Sequence, residues 1–294
     1  MAGQLRIVRR RIRSVQSTMK ITRAQQLIAA SRVVRAQQRV RQARPYTEQV
    51  TQALTSVANT EVTVSHPLLE PRAEVSAAAV LVVTSDRGLA GPYNANVLRT
   101  TEELVARLRQ DGIEPRLYVV GRKGLAYFRF RQRPVAEAWT GFSDRPAYDD
   151  AKQAADAMLE AFLDHEVDEI HAVFTDFVSA MTQRATATRF IPLVVRETTE
   201  RPPQPIPMYL YEPDAQGVLD ALLPRYVEAR VFTAMLESAA SEHASRQKAM
   251  SAATDNAEKL IEELTRQYNQ ARQAEITQEI MEIVGGAEAL RGRS

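Results

Sequence analysis

Gly88 and Gly91 follow an apolar stretch, Ala79 to Thr84, and a pair of glycines just after a strand is where phosphate-binding loops are built. The residues around them do not complete such a loop. The segment Ser85-Asp86-Arg87-Gly88-Leu89-Ala90-Gly91-Pro92 is not the dinucleotide fingerprint, and no glycine-rich loop ending in Lys-Ser or Lys-Thr occurs anywhere in the chain. The two glycines therefore read as a tight turn. His165 and His171 lack the spacing of a helical metal pair and have no matching third ligand, so they read as structural or solvated. Glu258, Glu262 and Glu263 read as the wet face of a helix, and the single tryptophan, Trp139, as a packing residue. The chain contains no cysteine, which removes disulfides, thiolate nucleophiles, cysteine metal sites and thiol switching together. No catalytic residue, cofactor or metal is expected.

The elements that would carry these groups alternate in the middle of the chain. Strands are expected at Ala79–Thr84, Arg116–Val120, Glu169–Asp176 and about Thr186–Val194. Helices are expected between them at about Asn94–Arg109, Gly121–Arg131 and Tyr148–Asp164, the last with Ala154, Met158, Ala161 and Phe162 on one face. This is the rhythm of an open, mainly parallel sheet, a central Rossmann-like α/β domain. His66-Pro67 and Pro71 mark its entry, and the proline-rich stretch Arg201 to Pro207 its exit.

Outside this segment the pattern changes to long heptads. From Leu5, alternate steps of three and four reach Val8, Ile12, Val15, Met19, Thr22, Gln26, Ala29, Val33, Ala36, Val40 and Ala43, with only Thr22 and Gln26 polar. Residues 1–47 hold twelve Lys or Arg and no acid, yet none of the twelve lies on that seam. Pro45 is expected to kink the helix or make it locally irregular. At the other end a seam runs through Met250, Thr254, Ala257, Ile261, Leu264, Tyr268 and Ala271. After a slip in register a second stripe follows, Ile276, Ile280, Ile283, Ala287 and Leu290. Two such helices flanking one domain meet antiparallel, as a coiled coil growing out of a globular body. The second is the longer, so roughly its last 20 to 25 residues, ~35 Å of helix, are expected to outrun the first. An apolar stripe left bare in that way calls for a partner protein around it, and the isolated chain is expected to aggregate. The organisation expected is a first coiled-coil helix over 1–58, a linker over 59–74, the α/β domain over 75–200, a proline-rich connection over 201–212, and the second coiled-coil helix over 213–294.

The formal net charge of +2 over 294 residues conceals a strongly basic first helix. Such a start also suits a transit peptide or a grip on nucleic acid phosphates, but a clean heptad sustained for some forty residues favours helix pairing. An enzyme acting on a nucleotide would need the phosphate cradle that is missing. The longest apolar run, Ala77 to Val83, is too short to cross a bilayer.

Several stretches resemble the gamma subunit of F-type ATP synthases. They are Ile12-Arg13-Ser14-Val15, Lys20-Ile21-Thr22 and Ala29-Ala30-Ser31 near the start, and Ser85-Asp86-Arg87-Gly88-Leu89 with Asn94 at the head of the central domain. The C-terminal run Tyr268-Asn269-Gln270-Ala271-Arg272-Gln273-Ala274-Glu275-Ile276-Thr277-Gln278-Glu279-Ile280 is the most characteristic, and Ala249-Met250 through Asn256-Ala257 is similar too. The likeness covers nearly the whole chain.

The resemblance implies a non-catalytic rotor shaft of the central stalk, turning inside a hexamer of three alpha and three beta subunits. It implies further partners in an epsilon subunit and the membrane c-ring, no nucleic acid, and membrane association only through the complex, at the cytoplasmic face of a bacterial membrane. Contacts to the beta subunits and the hexamer are implied at Arg272, Gln273, Thr277, Arg246, Lys20, Gln25, Ile276, Ile280 and Ile283. The chain departs from the family pattern at Gln25 and Gln247, where methionine is usual, and at Ala90 and Pro92, where cysteine and glycine are usual.

Overall fold

The computed structural model describes residues 2–58, 66–193 and 214–291. In chain order the elements are α1 (Ala2–Ala58), β1 (Ala77–Val83), α2 (Tyr93–Gln110), β2 (Glu114–Val120), α3 (Arg122–Phe130), β3 (Glu137–Trp139), α4 (Tyr148–Leu163), β4 (Glu169–Phe177), β5 (Gln183–Ile191) and α5 (Ala215–Arg291). The chain divides into two compact units. One joins Met1–Ile28 to Gln247–Ser294, and the other is Ala29–Arg246. The expected proline-rich connection and much of the linker lie outside the described residues, as does the end of the strand drawn to Val194.

The larger unit is built on a five-stranded sheet in the order β3-β2-β1-β4-β5. β1 pairs in parallel with β2 and β4, and β2 in parallel with β3, while β5 returns antiparallel along β4. β1 reads Ala-Ala-Ala-Val-Leu-Val-Val without polar alternation because both its faces are covered. Ala79, Leu81 and Val83 enter one core with α4, and Ala78, Val80 and Val82 enter the other with α2 and α3. β5 is an edge strand whose exposure alternates along most of its length, as suits a strand wet on one side. The sequence reading missed β3. It is three residues long, too short for a periodicity, and is held by pairing with β2 and by Trp139 stacked at 6.4 Å on Tyr118.

The long helices supply part of this core. Leu219, Leu223, Val227, Val231 and Met235 of α5 and Val50 and Leu54 of α1 are buried in the same cluster as the sheet face that α4 covers. A fragment of residues 75–200 alone is therefore expected not to fold. Burial of each such side chain contributes about 1.5–3 kcal/mol, and the fragment leaves that surface bare. Fluorescence of Trp139 during a urea titration checks this, since cooperative unfolding of the fragment would show the sheet to be self-sufficient. α1 continues as helix on both sides of Pro45, so the local irregularity that the proline was expected to allow does not break it. Proline removes only one backbone hydrogen bond, and burial of Val50 and Leu54 beyond it holds the following turns.

In the smaller unit the seam residues behave as their spacing predicts. Leu5, Val8, Ile12, Val15, Met19 and Thr22 are half-buried or buried, and the basic residues between them are exposed. The pairing is antiparallel. Arg9 donates to the Tyr268 hydroxyl at 2.6 Å, Thr22 and Thr254 hydroxyls meet at 2.8 Å, and Gln26 donates to Ser251 Oγ at 3.3 Å. The two polar seam positions of α1 thus face polar residues of α5. Satisfied polar pairs inside an apolar seam fix its register, because sliding by one position leaves each group unpaired.

Candidate functional site

Of the residues singled out by the sequence, those from Arg272 to Ile283 share the last described stretch of α5. Tyr268 and Ala271 are still half-buried against α1, but from Ile276 to Gly285 every residue is exposed. Ile276, Ile280, Met281, Ile283 and Val284 are 44, 56, 70, 71 and 54% exposed. The helix continues to Arg291, and the exposed stretch falls within the part expected to outrun α1. The Thr277 hydroxyl donates to the Gln273 carbonyl at 2.9 Å. That leaves Thr277 to offer lone pairs while the Gln273 amide and the Arg272 guanidinium offer donors. Lys20 is exposed on α1 and Gln25 half-buried beside the seam.

Arg246 belongs to the other unit and is turned inward. Its guanidinium donates to Glu242 Oε1 at 2.6 Å, to the Gly88 carbonyl at 3.3 Å and to the Arg87 carbonyl at 3.3 Å. Glu242 is 1% exposed. Burial pushes its carboxyl up, against the Arg246 charge that holds it down. On the next turn Ser238 Oγ accepts the Thr175 N–H and Ser241 Oγ donates to the Thr175 carbonyl, both at 3.2 Å. His243 lies between Asp144 and Arg246. Its Nε2 is 3.1 Å from the Asp144 carbonyl and its Nδ1 3.5 Å from Arg246. Burial is the main cause that pushes its pKa down to about 4, so it is neutral, with Nε2–H donating and Nδ1 accepting.

The conspicuous turn after β1 completes this knot. The Asn94 side chain accepts the Ser85 N–H at 3.0 Å and donates to Ser85 Oγ at 2.8 Å. Asp86 accepts from the backbone of Arg122, Gly141 and Ser143 at 3.1, 2.8 and 3.0 Å. Ser143 Oγ accepts from Asp86 N and donates to Glu242. Left-handed backbone falls on Leu89 and Gly91, with φ of 61° and 55°, so Gly91 rather than Gly88 meets the conformational demand of the expected turn. Ala90 is buried. Open α/β sheets bind ligands at the carboxyl ends of their strands, beside the strand where the order reverses. Here that place, between Ser85 and Thr175, is filled by Ser238, Ser241, Glu242 and Arg246 of α5. The parallel part of the sheet has the strand order of an open α/β fold, and its own helix α5 occupies the place beside the strand ends. Sequence reasoning missed Glu242, Ser143 and Asp144, and only the four-residue spacing of Glu242 to Arg246 carried a signal. His171, which reads as structural or solvated, sits 2.7 Å from Glu169.

One half-buried carboxyl nearby is pushed towards the neutral range. Burial, helped by Asp176, pushes Glu237 up to about 7. A folded-state value above the unfolded one means that stability falls as pH rises from about 4.5 to 7. Glu237→Gln is expected to raise stability by at most about 3 kcal/mol at pH 8 and to change little at about pH 3.5, below the unfolded value. Urea titrations at the two pH values test this, and equal gains at both would place the effect outside ionisation.

The family model described as ATP synthase matches residues 4–290. A protein called ATP synthase gamma chain from Acidothermus cellulolyticus is 60% identical over 295 residues, covering 99% of this chain and 98% of that one. The chain belongs to the ATP synthase gamma-chain family. A second gamma chain, from a Parafrankia species, is 58% identical over 99% of both chains. Among solved structures, the fold of the gamma chain is similar to a chain of the Euglena gracilis mitochondrial ATP synthase in an OSCP/F1/c-ring structure. That similarity has a TM-score of 0.68 at 17% identity, over 99% of this chain and 95% of that one. A rotor chain of the same organism's enzyme gives a TM-score of 0.66 at 17% identity, over 94% of this gamma chain and all of that one. Among the described residues of this family member no helix is long and apolar enough to cross a membrane.

Proposed function

We propose that this chain is the non-catalytic rotor shaft of a proton-translocating F-type ATP synthase. It turns inside the hexamer of alpha and beta subunits, stands with an epsilon subunit on the membrane c-ring, and couples proton flow to ATP synthesis or hydrolysis on the beta subunits. Family membership along the whole chain supports this reading, and the observation that carries it is the end of α5. A helix exposing Ile276, Ile280, Ile283 and Val284 with no α1 beside it needs a sleeve. A hexamer supplies one.

The shaft acts by differential contact. Its faces differ, so each rotation presents another pattern of donors and apolar side chains to each beta subunit. Only contacts that favour one beta conformation over another shift nucleotide affinity. Arg272, Gln273 and Thr277 are the polar part of that pattern in this proposal, with Ile276, Ile280 and Ile283 as the apolar bearing and Lys20 and Gln25 contributing from α1. Arg246, bonded inward, contributes by holding the turn at Arg87 and Gly88. Residues 1–58 and 213–294 form the shaft, 75–200 the body, and 59–74 and 201–212 the connections. The complex lies at the cytoplasmic face of the membrane, where this subunit is peripheral and held through its partners.

A tagged copy expressed in its native host tests the reading. Alpha, beta and epsilon subunits are expected to co-purify in fixed ratio with ATPase activity. Recovery of the tagged chain as a free soluble monomer would overturn it.

A further inference from the structure

A cleft of about 490 Å³ opens between α1, the loop before α4 and the middle of α5. Its volume falls within the roughly 300–1,000 Å³ typical of small-molecule sites. Arg32, Arg35 and Arg39 project from α1 along one wall, and Arg145 stands on the opposite loop. Asp144 is the only carboxylate among its described lining residues, and it is already engaged, at 2.9 Å by Arg32 and 3.7 Å by Arg87. The remaining three guanidiniums have no carboxylate within 4.0 Å among the described residues. Among the described residues Arg35 reaches only Ser31 Oγ at 3.2 Å, and Arg39 only the Pro146 carbonyl at 3.4 Å. His243 at the base is neutral, and Ala36 and Leu236 make the floor apolar.

Three like charges gathered on a concave surface repel one another, and a shared anion relieves that repulsion. Guanidinium forks match the oxygens of phosphate, and a small ligand with several charges can meet all three at once. We propose that this cleft binds a diphosphate group through Arg35, Arg39 and Arg145, with the Arg32–Asp144 pair left intact to hold the loop. The diphosphate comes either as free pyrophosphate or as part of a nucleoside diphosphate. This site is separate from the filled crevice at the strand ends.

Hydrogen–deuterium exchange on the purified complex tests the proposal, with pyrophosphate as probe at constant ionic strength. Peptides covering residues 32–42 and 144–146 are expected to gain protection. Replacing all three residues by glutamine (Arg35→Gln, Arg39→Gln, Arg145→Gln) is expected to raise the half-saturating concentration at least about tenfold. Changes in partner peptides are expected to be shared by both complexes. Arg145→Gln alone, on an exposed loop residue without a side-chain partner among the described residues, is expected to weaken protection without affecting assembly. A parallel titration with ADP separates the sources, since protection by both ligands assigns the diphosphate moiety and protection by pyrophosphate alone assigns the free anion. The proposal is overturned if pyrophosphate gives no protection, if sulfate protects equally, or if the glutamine variants respond like the parent. Protection by an Asp- and Glu-rich peptide without any pyrophosphate effect also overturns it, in favour of a protein segment.

Discussion

Arg246→Ala is expected to destabilise the body of the molecule by about 3–5 kcal/mol, the usual cost of removing one partner from a buried ion pair. Glu242 is 1% exposed, and the lost guanidinium is its only cationic partner among the described residues. The Arg87 and Gly88 carbonyls lose a donor in the same step. Without Arg246, only the Ser143 hydrogen bond still opposes burial at Glu242, so the carboxyl takes up a proton in the folded state at a higher pH than before. The folded value then lies further above the unfolded one, and the stability deficit shrinks as pH falls towards the unfolded value. Glu242→Gln in the Arg246→Ala background is expected to recover part of the loss at neutral pH, because a buried amide costs less than a buried charge. Urea unfolding followed by Trp139, the only tryptophan, reports on this unit directly. A loss below about 1 kcal/mol at pH 7 would mean that water or a relaxed loop replaces the arginine.

Arg272→Ala combined with Gln273→Ala is expected to leave the complex assembled while slowing ATP turnover by roughly tenfold or more. Charge-assisted hydrogen bonds contribute about 1.5–3 kcal/mol each when desolvated, and about 1.4 kcal/mol corresponds to a factor of ten in rate. Both side chains are exposed and do nothing for the fold of the chain itself. Their removal leaves the α1 seam, which reaches α5 at Tyr268, untouched. Steady-state ATPase and proton pumping on complexes of matched subunit content provide the measurement. Unchanged rates in both assays would move the coupling contacts elsewhere on the shaft.

The coiled-coil seam was legible to the single residue. Heptad spacing is a local property, and in a two-helix seam the residue that faces the partner is decided by position modulo the helical repeat. Hence Thr22 and Gln26 could be picked out as polar interruptions of the seam. β1, α2 and α4 were legible for a related reason, since each carries its burial pattern within one continuous stretch. Family membership was equally readable, from motifs such as Ser85-Asp86-Arg87-Gly88-Leu89.

What those motifs are for was decided only in three dimensions. Asp86 gathers backbone groups from residues 122, 141 and 143, and Glu242 meets Ser143 across 99 positions of sequence. No periodicity encodes such meetings, because each depends on where a loop end lands after the sheet has formed. The same applies to Arg246, which on a helical wheel is one more charged residue and in the fold is the plug of the crevice. β3 exists because β2 offers it an edge, and the arginine cleft because α1 passes beside the loop at Asp144. Local pattern determined the shaft, and long-range packing of the shaft against the sheet determined the knot, the closed crevice and the open cleft.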